Sequence, residues 1–172
     1  VNTKIKEKSI KLFYEQGLVV FISADQIITT RTLEGEYPNY SGLFPPSFSK
    51  IFKFERNALI QSLERIAILA DQKTGNLDVP AIKIDIKDDK FALISADAQN
   101  IGKAKELLPV SFECDQIEIA FNVRYLLEGL RVISSENILL KCNLPDSPAV
   151  LIPDDDISFS YLVMPVQVRS KR

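Results

Sequence analysis

The fold is decided by two stretches, "FKFERNALIQSLERIAILADQ" at residues 52–72 and "IEIAFNVRYLLEGLRVIS" at residues 117–134. In each, a short strand-like run passes almost without a loop into a segment with the 3.6-residue apolar period of an amphipathic helix. When the two stretches are aligned on Phe54 and Phe121, which are 67 residues apart, the apolar positions of the two helices coincide. The aligned positions are Leu59, Ile60, Leu63 and Ile66 with Leu126, Leu127, Leu130 and Ile133. The two stretches therefore indicate an internal repeat.

The repeat continues into the strands that follow each helix. The strand-like runs are "AIKIDIK" (81–87), "KFALISA" (90–96) and "ELLPVSFEC" (106–114), then "ENILLKC" (136–142), "AVLIP" (149–153) and "FSYLVMPVQV" (159–168). The first run alternates isoleucine with charged residues, which is typical of a strand with one buried and one solvated face. We therefore predict an α+β fold of two strand–helix–three-strand units, with antiparallel sheets that carry both helices on one face.

The N-terminal part predicts three further strands without a helix. They are "SIKLFYE" (9–15), "LVVFISA" (18–24) and "IITTRTLEG" (27–35), with turn residues at Gln16-Gly17 and Ala24-Asp25. Three strands with one apolar face need a covering layer, so we expect the end of another half-unit, in a chain that begins within a domain. Residues 36–49 are rich in Pro, Gly and Ser and predict a connector. We expect one domain segment at 1–45 and a second domain at 46–172.

The composition and net charge of the chain limit the classes of protein to which it can belong. The chain has 172 residues, 46% of them hydrophobic and 26% charged, with a net charge of −2. This balance is typical of a soluble globular protein, and the charged first residues resemble no signal peptide, so we expect a cytoplasmic location. A net charge of −2 does not suit a protein held on nucleic acid by bulk charge. Any such contact would depend on the local placement of lysine and arginine.

The sequence contains few residue patterns that would support catalysis. The chain has no histidine, and its six glycines stand singly, which excludes Ser–His and Cys–His pairs and a glycine-rich phosphate loop. Cys114 and Cys142 are too few for a disulfide framework or a zinc site, so we expect buried or half-buried thiols in strands. We predict no catalytic residue, metal or cofactor.

The acidic run "PDDDIS" allows one alternative. Asp154, Asp155 and Asp156 could hold magnesium in a metal-dependent nuclease. Consecutive side chains point in different directions, however, and a hairpin loop is the simpler interpretation. Asp88-Asp89 is likewise predicted to be a turn between two strands.

Four segments resemble a known family. They are "ADQIITTRTLEGEYPNY" (24–40), "FERNALIQSLERIAILADQ" (54–72), "FNVRYLLEGLRVI" (121–133) and "YLVMPVQV" (161–168). They look like the bacterial DNA polymerase III beta subunit, the replicative sliding clamp, over residues 9–168. "LEGEYPNY" and "YLVMP" are the most specific pieces.

The resemblance implies a DNA-clamp fold and a processivity factor without catalytic activity. Such a clamp is a ring of two protomers, each with three similar domains, whose helices line the hole around duplex DNA and whose sheets face outward. This chain would cover the end of the middle domain and the whole C-terminal domain. The ring closes by packing of a first domain against a C-terminal domain, so the chain by itself should not close a ring.

The resemblance also implies a hydrophobic cleft for short linear motifs. The implied partners are DNA polymerase III alpha, the clamp loader and repair polymerases. By position, the cleft residues are Pro38, Leu43, Ser147, Ala149, Leu162, Val163, Met164, Pro165 and Val166. The chain departs from the family pattern at Gly42, where some relatives carry a basic residue, and at Gln167, where many carry arginine. Ser147 is less apolar than some counterparts. Without the resemblance, "VMPV" reads as a plain edge strand with core side chains.

The same resemblance implies a surface that faces DNA and contacts phosphates without reading bases. The implied residues are Lys53, Arg56, Arg65, Lys73, Arg124 and Arg131. A helix at 122–134 would place Arg124, Glu128 and Arg131 opposite its apolar face. The charges alone would suit an ordinary solvated helix face. A stand-alone peptide-binding adaptor, with the cleft but without the ring, is the main alternative function.

Overall fold

A computed structural model describes residues 9–70, 80–87, 90–98 and 102–168. The chain divides into two compact units, residues 1–39 and residues 40–172. The division falls just before a short 3-10 helix at Tyr40–Leu43, whereas the predicted domain boundary follows residue 45.

The first unit is a three-stranded antiparallel sheet, as predicted. Its strands are β1 (Lys11–Glu15), β2 (Leu18–Ile22) and β3 (Ile27–Arg31), in the order β1-β2-β3. Gln16 and Gly17 connect β1 to β2 with φ angles of 46° and 79°. Two residues at positive φ form the tight hairpin turn that suits the right-handed twist of the strands.

The second unit contains the duplicated pattern. In chain order its elements are β4 (Lys50–Glu55), α1 (Arg56–Ala70), β5 (Ala81–Ile86), β6 (Phe91–Ala98), β7 (Gly102–Pro109), β8 (Ser111–Phe112), β9 (Ile117–Asn122), α2 (Val123–Val132), β10 (Asn137–Cys142), β11 (Ala149–Pro153) and β12 (Tyr161–Val163). Both predicted strand-to-helix junctions are confirmed. Within the ranges described, neither helix has the length and apolar character that a membrane span requires.

The two repeats exchange their first strands. One sheet has the order β12-β11-β10-β4-β8 and the other has the order β7-β6-β5-β9, with all neighbours antiparallel. Thus β4 pairs with β10 of the second repeat, with Phe54 opposite Ile138. In the same way β9 pairs with β5 of the first repeat, with Phe121 opposite Ile82. Because each sheet needs strands from both repeats, the two repeats share one hydrophobic core.

The terminal segment is divided between the two sheets. Tyr161–Val163 forms the edge strand β12, and Pro165 then makes a β-bridge with Phe121 of the other sheet. The amide of Val166 donates to the carbonyl of Ala120 at 2.8 Å. The predicted single strand at 159–168 is therefore wrong, since a proline lacks the amide hydrogen that would continue the ladder.

Equivalent residues cap the two helices. Both carboxylate oxygens of Glu55 accept backbone N–H bonds, from Asn57 at 2.8 Å and Ala58 at 2.6 Å. At the matching position of the second repeat, Asn122 Oδ1 accepts from the amide of Arg124 at 3.0 Å. These bonds satisfy amides that have no intrahelical partner, and so both helices begin at the same place after their strands.

Candidate functional site

Strand β12 separates two kinds of predicted cleft residue. Ala149 lies opposite Val163, and Val150 lies opposite Leu162. Ala149 and Val163 are 0% and 3% exposed and belong to the core. Because successive side chains alternate between faces, Leu162 points to the other face of the sheet, where it is half-buried. We therefore correct the predicted role of Ala149 and Val163 from surface lining to support of the strand pair.

Met164 lies at the point where the chain passes from one sheet to the other. Its side chain is 49% exposed, while Val163 before it is core and Pro165 and Val166 after it are half-buried. The backbone is held on both sides, by the β11–β12 pairing and by the contacts of Pro165 and Val166 with β9. A flexible, polarisable thioether on a fixed backbone can adapt to different apolar partners.

Asn143 ties the connector to the turn that precedes β11. Its Oδ1 accepts from the amide of Ser49 at 2.7 Å, and its Nδ2 donates to the carbonyl of Ser47 at 2.9 Å. Ser147 lies in the same turn, where its amide donates to the carbonyl of Leu144 at 3.2 Å. Nothing in the sequence marks Asn143, since an asparagine in a turn carries no signal of a contact almost a hundred residues away.

The remaining predicted cleft residues, Pro38 and Leu43, lie in the connector at residues 36–49. Leu43 ends the 3-10 helix of the second unit and is 50% exposed. Pro38 is exposed and belongs to the first unit. Leu43 therefore offers an apolar side chain to solvent from the second unit, and the part of Pro38 in a cleft stays a prediction.

Helices α1 and α2 pack against each other and present one exposed surface away from the core. We call it the paired-helix face. Its exposed residues are Asn57, Gln61, Glu64, Arg65, Ile68, Arg124, Tyr125, Glu128, Arg131 and Val132. Three of the six residues predicted to face DNA lie here, namely Arg65, Arg124 and Arg131.

Ion pairs organise the charges of the paired-helix face. Arg131 Nη2 lies 2.7 Å from Glu64 Oε1, which joins α2 to α1. Arg65 contacts Glu106 Oε1 of β7 through Nη2 at 2.7 Å and Nε at 2.8 Å. The pKa of the Glu106 carboxyl is held below its ordinary value, first by the Ser62 hydroxyl and then by Arg65, against the opposing effect of burial.

Lys53 does not lie on the paired-helix face, and its predicted DNA-facing role stays a prediction. Lys53 stands between Phe52 and Phe54, which are buried in the core that the helices cover. By alternation its side chain points to the opposite face of the sheet, where Nζ lies 2.5 Å from Asp154 Oδ2.

Arg56 is bound to backbone carbonyls of the second repeat, and its predicted DNA-facing role stays a prediction. Its Nε donates to the carbonyl of Ser135 at 2.9 Å, and its Nη1 donates to that of Leu130 at 3.4 Å. A cation at these carbonyls satisfies and stabilises the C-terminal end of α2. The remaining predicted residue, Lys73, lies outside the described residues.

The acidic run lies in a loop, and the two cysteines are free thiols. Asp154 to Asp156 lie between β11 and β12, as predicted, and Asp156 Oδ1 accepts from the amide of Ser158 at 2.8 Å. No cluster of three metal-ligating side chains occurs in the part of the chain that the structure describes, and Asp88-Asp89 falls outside that part. Cys114 is partly exposed and Cys142 is buried, and burial raises the pKa of the Cys142 thiol to about 11.

Gly129 permits the close packing of α2 on β12. A Cβ atom at this position would lie 2.5, 2.7 and 2.9 Å from three ring carbons of Tyr161. Tyr161 immediately precedes Leu162, so this contact positions the edge strand that carries the candidate cleft residues. The sequence signal is a single glycine inside an amphipathic helix, which often has a packing reason.

Comparisons with known proteins identify similar chains. The family described as DNA polymerase III beta subunit, C-terminal domain, matches residues 41–167. A beta sliding clamp of Synechococcus elongatus is 41% identical over 164 residues, which cover 95% of this chain and 43% of that protein. A beta sliding clamp of Synechocystis is 34% identical over 163 residues, covering 92% and 40%.

A solved structure shares the fold. The DNA polymerase III beta chain of Streptococcus pneumoniae matches with a TM-score of 0.82 and 27% identity, over 92% of this chain and 41% of that chain. The chain thus spans about two fifths of the length of the relatives that it matches.

Proposed function

Because the chain belongs to the DNA polymerase III beta subunit family through its C-terminal domain, we propose that it is part of a replicative sliding clamp. The complete protein would encircle duplex DNA and hold the polymerase on it, as an accessory subunit without catalysis of its own, in the bacterial cytoplasm at the nucleoid. The observation that carries the proposal is the fold of the chain, with its duplicated, strand-exchanged domain, which matches a beta chain structure over 92% of this chain.

The paired-helix face is the proposed DNA surface. Both helices lie on the core side of the sheets, and their outer surface carries Arg65, Arg124 and Arg131. Arginines that contact phosphates hold DNA without reading its sequence, which is what movement along DNA requires. Glutamates interspersed among them keep the surface from becoming strongly basic.

The segment around Leu162 and Met164 is the proposed wall of the partner cleft. An extended motif can place one or two apolar side chains against such a surface and gain most of its affinity from them. Leu43, at the end of the 3-10 helix, is a further apolar side chain of the second unit. Short linear motifs of DNA polymerase III alpha, the clamp loader and repair polymerases are the proposed ligands.

Ring closure is proposed at the edge formed by β7. This strand ends its four-stranded sheet, and Leu107 on it is 64% exposed. Ile68 of α1, a helix that packs on β7, is 71% exposed. An open strand edge beside exposed apolar side chains is a surface that another chain can cover. In the homodimeric ring we propose that the first domain of the second protomer covers it.

Calorimetric titration with a synthetic peptide tests the cleft. The peptide carries the clamp-binding motif of a bacterial polymerase III alpha subunit. Leu162→Ala and Met164→Ala should each weaken binding roughly fivefold or more, the usual cost of truncating an apolar anchor. Ile157→Ala is the matched control, because Ile157 is 97% exposed in the loop before β12 and outside the proposed wall. Unchanged affinity in both cleft variants would remove the terminal segment from the site.

A further inference from the structure

The charges of the paired-helix face occur in balanced numbers. Its arginines are Arg65, Arg124 and Arg131, and the carboxylates that lie on it or pair with it are Glu64, Glu106 and Glu128. Among the described residues of this face, three positive charges therefore meet three negative ones. Such balance is unexpected for a surface whose proposed ligand is a polyanion.

Arg131 and Arg65 are each bound to a carboxylate. The Arg131–Glu64 pair has side chains 58% and 47% exposed, so solvent and a ligand can reach both partners. In the Arg65–Glu106 pair, the arginine is 59% exposed and the glutamate 28%. A pair that is exposed on both sides contributes little to stability, so a phosphate can compete with Glu64 for Arg131.

The Arg131–Glu64 pair joins equivalent positions of the repeat, since residues 64 and 131 differ by the same 67 positions as Phe54 and Phe121. Identical residues here would place like charges together where the helices meet. Instead, one copy carries an acid and the other a base. Glu128 adds a third carboxylate one helical turn before Arg131, on the same face of α2.

We propose that Glu64 and Glu106 act as internal counterions that limit the affinity of the paired-helix face for duplex DNA. The inference rests on the proposed function, in which DNA passes this face. Affinity for DNA comes largely from release of its condensed cations, with about 0.9 ions released for each phosphate neutralised. An arginine held by a glutamate must first leave it, so each contact gains less. The result is a surface that touches phosphates weakly and exchanges them readily.

Glu64→Gln in the 172-residue chain tests this inference, and Glu118→Gln is the matched control. Glu118 is exposed on β9 between the buried Ile117 and Ile119, so it faces away from the core, and it pairs with Lys83 at 3.0 Å. Each substitution removes one carboxylate and changes the net charge from −2 to −1. Fluorescence anisotropy of a labelled random-sequence duplex, from low to moderate sodium chloride, measures binding.

Glu64→Gln should raise the association constant roughly three- to tenfold at about 50 mM salt and steepen the salt dependence by about 0.9. Glu118→Gln should change it less than about twofold. Adding Arg131→Gln to Glu64→Gln should abolish the gain. Equal gains in the two single variants would show an effect of net charge alone and overturn the inference.

Arginine variants separate this inference from the proposed function. If Arg124→Gln and Arg131→Gln leave the binding of the parent chain unchanged, DNA does not use this face and both ideas fail. If the arginine variants weaken binding but Glu64→Gln leaves it unchanged, the proposed DNA surface stands and the counterion role alone is refuted.

Discussion

Gly129→Ala tests the packing of α2 on β12, because this packing predicts a loss of stability whereas helix propensity predicts a gain. In an open helix the substitution should stabilise, because alanine is favoured over glycine by about 1 kcal/mol. Here the new methyl group would lie 2.5–2.9 Å from ring carbons of Tyr161, about 1 Å closer than ordinary contact. Overpacking of this kind costs about 1–3 kcal/mol, so the net change should be a destabilisation of about 0–2 kcal/mol.

Tyr161→Leu supplies the matched background, because leucine lacks the ring carbons that meet the new methyl group. There, Gly129→Ala should become stabilising by up to about 1 kcal/mol. The two substitutions should therefore show a coupling free energy of about 1–3 kcal/mol in a double-mutant cycle.

Urea unfolding followed by circular dichroism at 222 nm measures the change. Both α-helices belong to the second unit, so the helical signal follows the part of the chain that contains the contact. Gln61→Ala, at an exposed position of α1, should change stability by less than about 0.5 kcal/mol. A clear stabilisation by Gly129→Ala in the parent chain, equal to that in the Tyr161→Leu background, would refute the proposed contact.

Two further results follow from the ionisable groups. A thiol reagent at pH 8 should modify the partly exposed Cys114 first. Cys142 is buried and its thiol has a pKa of about 11, so it should react at the rate of unfolding. Rapid modification of both thiols in the folded chain would contradict the burial of Cys142. Because the pKa of Glu106 is lowered from 4.5 in the folded state, its contribution to stability should be present above pH 4.5 and lost as pH falls through the folded pKa. Glu106→Gln should reduce that acid dependence in urea titrations, and an unchanged acid limb would show that Glu106 does not contribute.

The local pattern of the sequence was sufficient to predict the secondary-structure elements and their duplication. Periods of 2 and 3.6 report which side of a strand or helix is buried, and they placed the junctions at β4–α1 and β9–α2 correctly. Family-specific segments such as "YLVMP" pointed to the family because they combine residue types at fixed spacing. None of this required knowledge of which strands pair.

Tertiary structure decided the strand exchange, the split of the terminal segment and the use of each charge. Lys53 and Arg56 lie beside a helix in sequence, yet one points to the far face of the sheet and the other caps α2. Ala149 and Val163 were expected at a surface and lie in the core. The surface to which a side chain points depends on strand register and on partners up to a hundred residues away. Those long-range contacts leave no periodic pattern in the sequence.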